Sequence, residues 1–327
     1  MSTARRWSYL AEVKVPPPAP ATAELLPGAR PPGAEPSAGW LTALPTLVRW
    51  PNLLIMLLCL TLTRAGLLLP EQPLQVSLLA PGFGLLVLSA LLVGAAGYII
   101  NDYYDVKIDA INRPDRLVVG RVVPRRHAML AHVLLSGAGV GLAGGLSALL
   151  GLVTLGSALL LWGYSARFKR VALVGNVSIA TLTAALVLLP ELQLQTRLPA
   201  VWVYALAAFL LTVVREIVKD VEDMRGDAHH GCRTLPLVLG VARTKWTAGF
   251  FLACLGLLTV GATVRLSAGR EWLLVGWLLL LVLLPLATLA RQLWRADRRH
   301  HFRQLSHWCK AIMLAGVLSM ALAGGAG

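Results

Sequence analysis

Six aspartates stand at matched spacing in two short segments of this chain. The first segment is Asn101-Asp102-Tyr-Tyr-Asp105-Val-Lys-Ile-Asp109 and the second is Asp220-Val-Glu222-Asp223-Met-Arg-Gly-Asp227. In each, the aspartates occupy relative positions 0, +3 and +7. The offset is constant, since 220 − 102, 223 − 105 and 227 − 109 all equal 118. On a helix turning about 100° per residue, these positions fall within roughly 60° of one face. Each segment therefore aims three carboxylates in one direction. Like charges held this closely repel unless a cation sits among them. A hard divalent cation suits the oxygen donors, and Mg²⁺ held by carboxylates together with substrate phosphates is its usual arrangement. Solvated helix-end caps are the plainer explanation. They account poorly for two segments of identical spacing that each follow a long apolar stretch.

Basic residues accompany both segments. Arg113, Arg116 and Arg121 follow the first. Lys169 and Arg170 close the stretch Tyr164-Ser165-Ala-Arg-Phe-Lys-Arg, and Arg215 and Lys219 precede the second segment. Guanidinium and ammonium groups are natural partners of phosphate oxygens. Carboxylates for Mg²⁺ beside cations for phosphate describe a diphosphate site. Apolar surroundings suit a long hydrocarbon tail, so the combination points to a polyprenyl diphosphate. Its ionisation leaves an allylic cation, with the leaving diphosphate neutralised by the metal.

The elements that must carry these residues are membrane helices. The chain is 57% hydrophobic and only 14% charged, with a mean hydropathy of +0.68, which excludes an ordinary soluble domain. Nine apolar segments of near-spanning length are predicted at 44–69, 81–103, 127–147, 149–165, 171–190, 199–219, 243–266, 271–291 and 307–325. With the N-terminus in the cytoplasm, 26 of the 30 Lys and Arg residues fall on that side. Only Arg64, Arg197, Arg265 and Arg270 fall on the other. This bias predicts a multi-pass inner (plasma) membrane protein with its N-terminus inside and its C-terminus outside. It also accounts for the net charge of +14, so no nucleic-acid partner is expected. Both acidic segments then lie at the cytoplasmic ends of the second and sixth spans. Their constant offset suggests a duplicated four-helix unit with a ninth helix added.

Residues 1–40 are rich in Pro and Ala, have no continuous apolar run of the signal-peptide kind, and read as a disordered cytoplasmic segment before a transmembrane domain at 41–327. Cys59, Cys232, Cys254 and Cys309 form no C-x-x-C pair and suggest neither a disulfide framework nor a zinc site. The pairs His229-His230 and His300-His301 sit in polar loops and read as solvated. Arg64 reads as a residue snorkelling from the outer half of the first span, with no assigned role. Trp40, Trp202, Trp272 and Trp308 read as interfacial anchors.

These motifs resemble those of the UbiA superfamily of intramembrane prenyltransferases. The resemblance covers roughly residues 44–325. It rests on N-D-x-x-D-x-x-x-D at Asn101–Asp109, D-x-x-D-x-x-x-D at Asp220–Asp227, Y-S-x-x-x-K-R at Tyr164–Arg170 and R-x-x-N at Arg49–Asn52. It implies an all-α membrane protein of nine transmembrane helices around a central cavity open to lipid. It further implies that Asp102, Asp105, Asp109, Asp220, Asp223 and Asp227 are catalytic and hold Mg²⁺. Asn52, Asn101, Arg113, Arg116, Lys169, Arg170, Arg215 and Lys219 would bind the substrates. Arg215 to Asp227, followed by Gly231-Cys-Arg-Thr-Leu-Pro236, look most like the members that transfer a geranylgeranyl group to the hydroxyl of a prenylglycerol phosphate, forming an ether lipid. Arg116-Leu-Val-Val-Gly-Arg121 departs from the R-P-I-P-S-G-R of many members, which bears on the acceptor. An aromatic acceptor of quinone biosynthesis is the alternative within the class. A cation-coupled transporter is the alternative outside it, and the gathering of carboxylates at helix ends argues against that.

Overall fold

The computed structural model describes the backbone of residues 40–112 and 118–323 and the side chains of 43–106 and 118–323. Among the described residues there are nine helices long and apolar enough to cross a membrane. They are Trp50–Leu68, Pro81–Val106, Arg125–Leu146, Ala148–Ala166, Val174–Leu194, Pro199–His229, Leu235–Ala268, Trp272–Arg295 and Arg299–Ala323. We call them the first to ninth spans. The fold is an all-α, multi-pass membrane bundle. Leucines and tryptophans on its outside are widely exposed, among them Leu152, Trp246, Leu257 and Leu280. Such a surface suits hydrocarbon and not water.

The helix ends differ from the apolar segments in informative ways. The first expected segment, 44–69, is two helices. Trp40–Leu47 is a short helix, and the span starts at Trp50 with Pro51 in its first turn. Between them Arg49 adopts a left-handed conformation, φ 53° and ψ 54°. A fixed proline φ without an N–H belongs at a helix start, so Pro51 sets the boundary. The second helix runs on to Asn112 and the sixth to His229. Their acidic segments are therefore helical and continue the spans past the apolar stretch. The seventh helix begins at Leu235, eight residues before the expected start at 243, and bends at Gly240, where φ is 77°. Glycine alone takes that conformation without strain. The ninth begins at Arg299, since its polar first turns are helical too. The third and fourth spans are divided at Ser147, whose hydroxyl caps the Leu150 N–H at 3.2 Å.

Packing places the site helices at the centre. The sixth span contacts the fifth, seventh and ninth, and it also touches the second. The second packs on the third and fourth, and the first touches the second, fifth and ninth. One buried cluster, including Val213, Ile217, Leu252, Leu289, Leu305 and Ile312, joins the sixth to ninth spans. Another, including Leu60, Leu86, Ala143, Leu150 and Leu189, ties the first four spans to the fifth. A third cluster, including Cys59, Val187, Val201 and Val317, joins the first span to the fifth, sixth and ninth, and the second and sixth spans, which carry the aspartates, touch each other within this frame.

Arg64 does not snorkel. It is buried, donating to the Ser77 carbonyl at 2.9 Å and to Gln193 Oε1 at 3.2 Å, with its guanidinium 4.8 Å from the Phe83 ring centre. A guanidinium at this depth needs several acceptors to offset its lost hydration. The polar atoms around Leu74–Leu78 and the end of the fifth span supply them. Residues 1–39 of the expected N-terminal segment lie outside the described residues.

Candidate active site

The aspartates of the second span are held by cations from two other elements. Asp102 Oδ1 accepts from Arg49 Nη2 at 2.8 Å. Asp105 is gripped on both oxygens. Lys169 Nζ lies 2.5 Å from Oδ1, and Asn101 Nδ2 donates to Oδ2 at 2.8 Å. Lys169 is also 3.5 Å from Asn101 Oδ1. Asn101 therefore serves as a bridge between the lysine and the carboxylate. The side chains of Lys169 and Asp105 are 11% and 14% exposed, so water screens their attraction little.

The sixth span repeats the pattern with different chemistry. Asp220 Oδ2 accepts from Asn176 Nδ2 at 2.8 Å. Asn176 is buried at the start of the fifth span, as Arg49 precedes the first. The first aspartate of each segment is thus met by a polar side chain from the beginning of the preceding span. Asp227 lies within electrostatic reach of Asp223 and Lys219 on its own helix and of Asp105 and Lys169 opposite. The two acidic segments converge on one mouth, with Lys169 between them.

Local backbone features place Lys169. It lies in the short turn Phe168–Arg170 between the fourth and fifth spans. The Arg170 carbonyl accepts the Arg233 N–H at 2.8 Å, pinning this turn to the loop after the sixth span. Leu173, which follows, is left-handed at φ 64°. A Cβ on Gly175 would stand 2.8 Å from the Lys169 Cα, so only glycine lets the fifth span start against the turn. Arg49 and Leu173 are two of the five non-glycine residues with positive φ among the described residues, and both flank the mouth. Such conformations cost about 1–3 kcal/mol each and persist where surrounding contacts enforce them.

Arg215 and Lys219 both engage Glu216, Lys219 at 3.9 Å. Glu216 is buried, and Arg49 and Lys310 also act on it. Asn52 lies beside the Tyr98 phenol, over whose ring Arg49 lies at 5.0 Å. The Arg170 side chain is exposed at the rim. The side chain of Asp109, and Arg113 and Arg116 entirely, lie outside the described residues. Sequence reasoning missed three residues of this constellation: Arg49 as a partner of Asp102, Asn176 and Glu216. A lone amide in an otherwise apolar span start was a usable signal for Asn176.

The donor set is oxygen throughout, which suits Mg²⁺. Cys232 stands beside Asp227, its N–H donating to the Asp227 carbonyl at 2.9 Å. Burial first, and then the charge of Asp227, push its thiol up to about 11. Among the described residues no three carboxylate, imidazole or thiol groups form a ready cage for one ion.

An α-helical membrane bundle with paired acidic helix ends and interposed cations defines a class of membrane protein. Residues 53–314 match the UbiA prenyltransferase family, and the chain belongs to it. It is 39% identical over 199 residues to the digeranylgeranylglyceryl phosphate synthase of Methanopyrus kandleri, covering 61% of this chain and 70% of that protein. Over 239 residues it is 36% identical to the enzyme of the same name from Natronomonas pharaonis, covering 72% and 82%. Among solved structures it resembles one of digeranylgeranylglyceryl phosphate synthase, with a TM-score of 0.65 at 24% identity over 87% of this chain and 98% of that one. A UbiA homologue from Archaeoglobus fulgidus bound to DMAPP and Mg²⁺ gives 0.59 at 20% identity, over 85% and 99%.

Proposed function

We propose that this protein is a Mg²⁺-dependent intramembrane prenyltransferase that moves a geranylgeranyl group from its diphosphate to the free hydroxyl of a prenylglycerol phosphate. The observation that carries this reading is the convergence of Asp105, Asp227 and Lys169 from three elements on one mouth. The names of the relatives supply the acceptor class.

In this reading Asp102 and Asp105 on one side, and Asp220, Asp223 and Asp227 on the other, are the residues that would hold Mg²⁺ and the diphosphate. Asp109 would join the first set. When bound, Mg²⁺ neutralises the diphosphate and makes it a better leaving group. Lys169 turns from Asp105 to the diphosphate oxygens, and Asn101 keeps Asp105 oriented while it does so. Arg170 supplies further positive charge at the rim, and Arg113 and Arg116 would add to it. Breaking the C1–O bond sends its electron pair to the diphosphate and leaves an allylic cation on the prenyl chain. The acceptor hydroxyl oxygen attacks C1, and its proton passes to the departing diphosphate or to a nearby aspartate. No strong base is needed, since the hydroxyl acidifies as the bond forms. Asn52, beside Tyr98, offers a neutral polar wall. Arg215 and Lys219, clustered with Glu216, provide positive charge for the acceptor's phosphate.

The excess of Lys and Arg at the mouth side supports an orientation with the mouth and the N-terminus in the cytoplasm and the C-terminus outside, in the plasma membrane. The test of acceptor class is incubation of the purified protein with geranylgeranyl diphosphate, Mg²⁺ and a panel of acceptors, with product masses read out. An ether product from geranylgeranylglyceryl phosphate is expected. Product only from a phenolic acid or a naphthoate would replace this reading with the quinone type.

A further inference from the structure

We propose a second lipid site on this protein, a headgroup pocket for an anionic membrane phospholipid between the eighth and ninth spans. These two helices form an antiparallel pair joined through Ala296–Arg298. Where they meet they form an open groove of about 630 Å³ lined by Gln292, Arg295, His301, Gln304, His307 and Trp308. It lies at the end of the bundle that carries the aspartates. The Arg299 guanidinium donates to the Glu222 carbonyl at 3.0 Å, and Arg303 reaches the Glu222 carboxylate at 3.9 Å. None of the groove's lining residues belongs to the diphosphate site.

Three observations select the occupant. The first is charge. Between residues 291 and 310 stand Arg291, Arg295, Arg298, Arg299, Arg303 and Lys310, against the single acid Asp297. Asp297 is already engaged by His301 at 2.9 Å. The lining therefore presents Arg295, the His307 imidazole and two amides to an anion, with His301 held by Asp297. The second is depth. Trp246, Trp294 and Trp308 are each at least 40% exposed around this end of the helix pair. Exposed indoles on a membrane bundle mark the headgroup level. The third is shape. Leu305 and Ala311 add an apolar wall beside the polar one, and this matches a ligand with a charged head and an acyl chain running along the ninth span. A basic pocket between membrane helices at headgroup depth is a recognised setting for anionic lipids, each basic group favouring them by about fivefold.

The test is native mass spectrometry of the full chain released from detergent after titration with phosphatidylglycerol, phosphatidylcholine or inorganic phosphate. The same titration is run on the double variant Arg295→Gln, His307→Gln. Both positions are exposed, so the variant is expected to fold and to keep its prenyl-transfer rate in lipid-free detergent. Phosphatidylglycerol should bind at least fivefold more tightly than phosphatidylcholine, and the variant should lose that preference. Equal binding of the two lipids would overturn the proposal, as would an unchanged preference in the variant. Displacement of phosphatidylglycerol by equimolar inorganic phosphate would also overturn it, since the pocket would then hold free phosphate.

Discussion

Lys169→Met separates the proposed diphosphate contact from simple packing, because it keeps most of the side chain's length and removes its charge. In the structure Lys169 Nζ sits 2.5 Å from Asp105 and 3.5 Å from Asn101. Removing one member of a buried ion pair costs about 3–5 kcal/mol of stability. The lower end is expected here, because Asn101 still donates to Asp105 at 2.8 Å. The catalytic effect is separate. A hydrogen bond to a charged group contributes about 1.5–3 kcal/mol. At 1.36 kcal/mol per decade this corresponds to a loss of roughly 10- to 150-fold in kcat/KM for the prenyl diphosphate. The assay is product formation at limiting diphosphate and saturating acceptor, with thermal melting in detergent run in parallel. Lys169→Arg should recover part of the loss, since a guanidinium also binds phosphate. A Met variant with kcat/KM within twofold of the parent would refute the assignment of Lys169 to the diphosphate.

Further expectations follow from single contacts. Asn176→Ala removes the amide that donates to Asp220 at 2.8 Å; stability should fall by about 1–3 kcal/mol, and the Mg²⁺ concentration for half-maximal rate should rise, read by metal titration. Gly175→Ala would force a Cβ to within 2.8 Å of the Lys169 Cα, so turnover should fall by more than tenfold, whereas Gly156→Ala, with open space around it, should leave turnover intact. Cys232, with its thiol at about 11, should alkylate slowly at neutral pH, and its labelling rate should climb with pH up to at least 9.5; a plateau below pH 9, followed by peptide mass, would contradict the burial that raises it.

Composition and spacing made the membrane fold legible, because a bilayer demands long apolar helices and leaves few other solutions. The aspartates were legible for a related reason. Six carboxylates repeated at a fixed offset beside membrane spans are too costly to be incidental. What stayed hidden was pairing between elements. Nothing in the spacing of Arg49 and Asp102, or of Asn176 and Asp220, announces that they meet, since each pair is brought together by two helices packing side by side. Arg64 was misread for the same reason. An arginine in a span can rise to the interface or stay buried, and the deciding partners are the Ser77 carbonyl of the next short helix and Gln193 at the end of the fifth span. The break at Arg49 did have a local signal in Pro51, which an apolar count passes over.

The central claim is that the two acidic segments act together on one Mg²⁺–diphosphate. The direct measurement is geranylgeranyl transfer by Asp105→Ala and Asp223→Ala, each purified and shown by thermal melting to be folded, beside the parent protein with and without excess chelator. No measurable product is expected from either variant or from the chelated parent. Near-normal turnover by a folded variant from either segment, or full activity of the parent in excess chelator, would contradict the shared site.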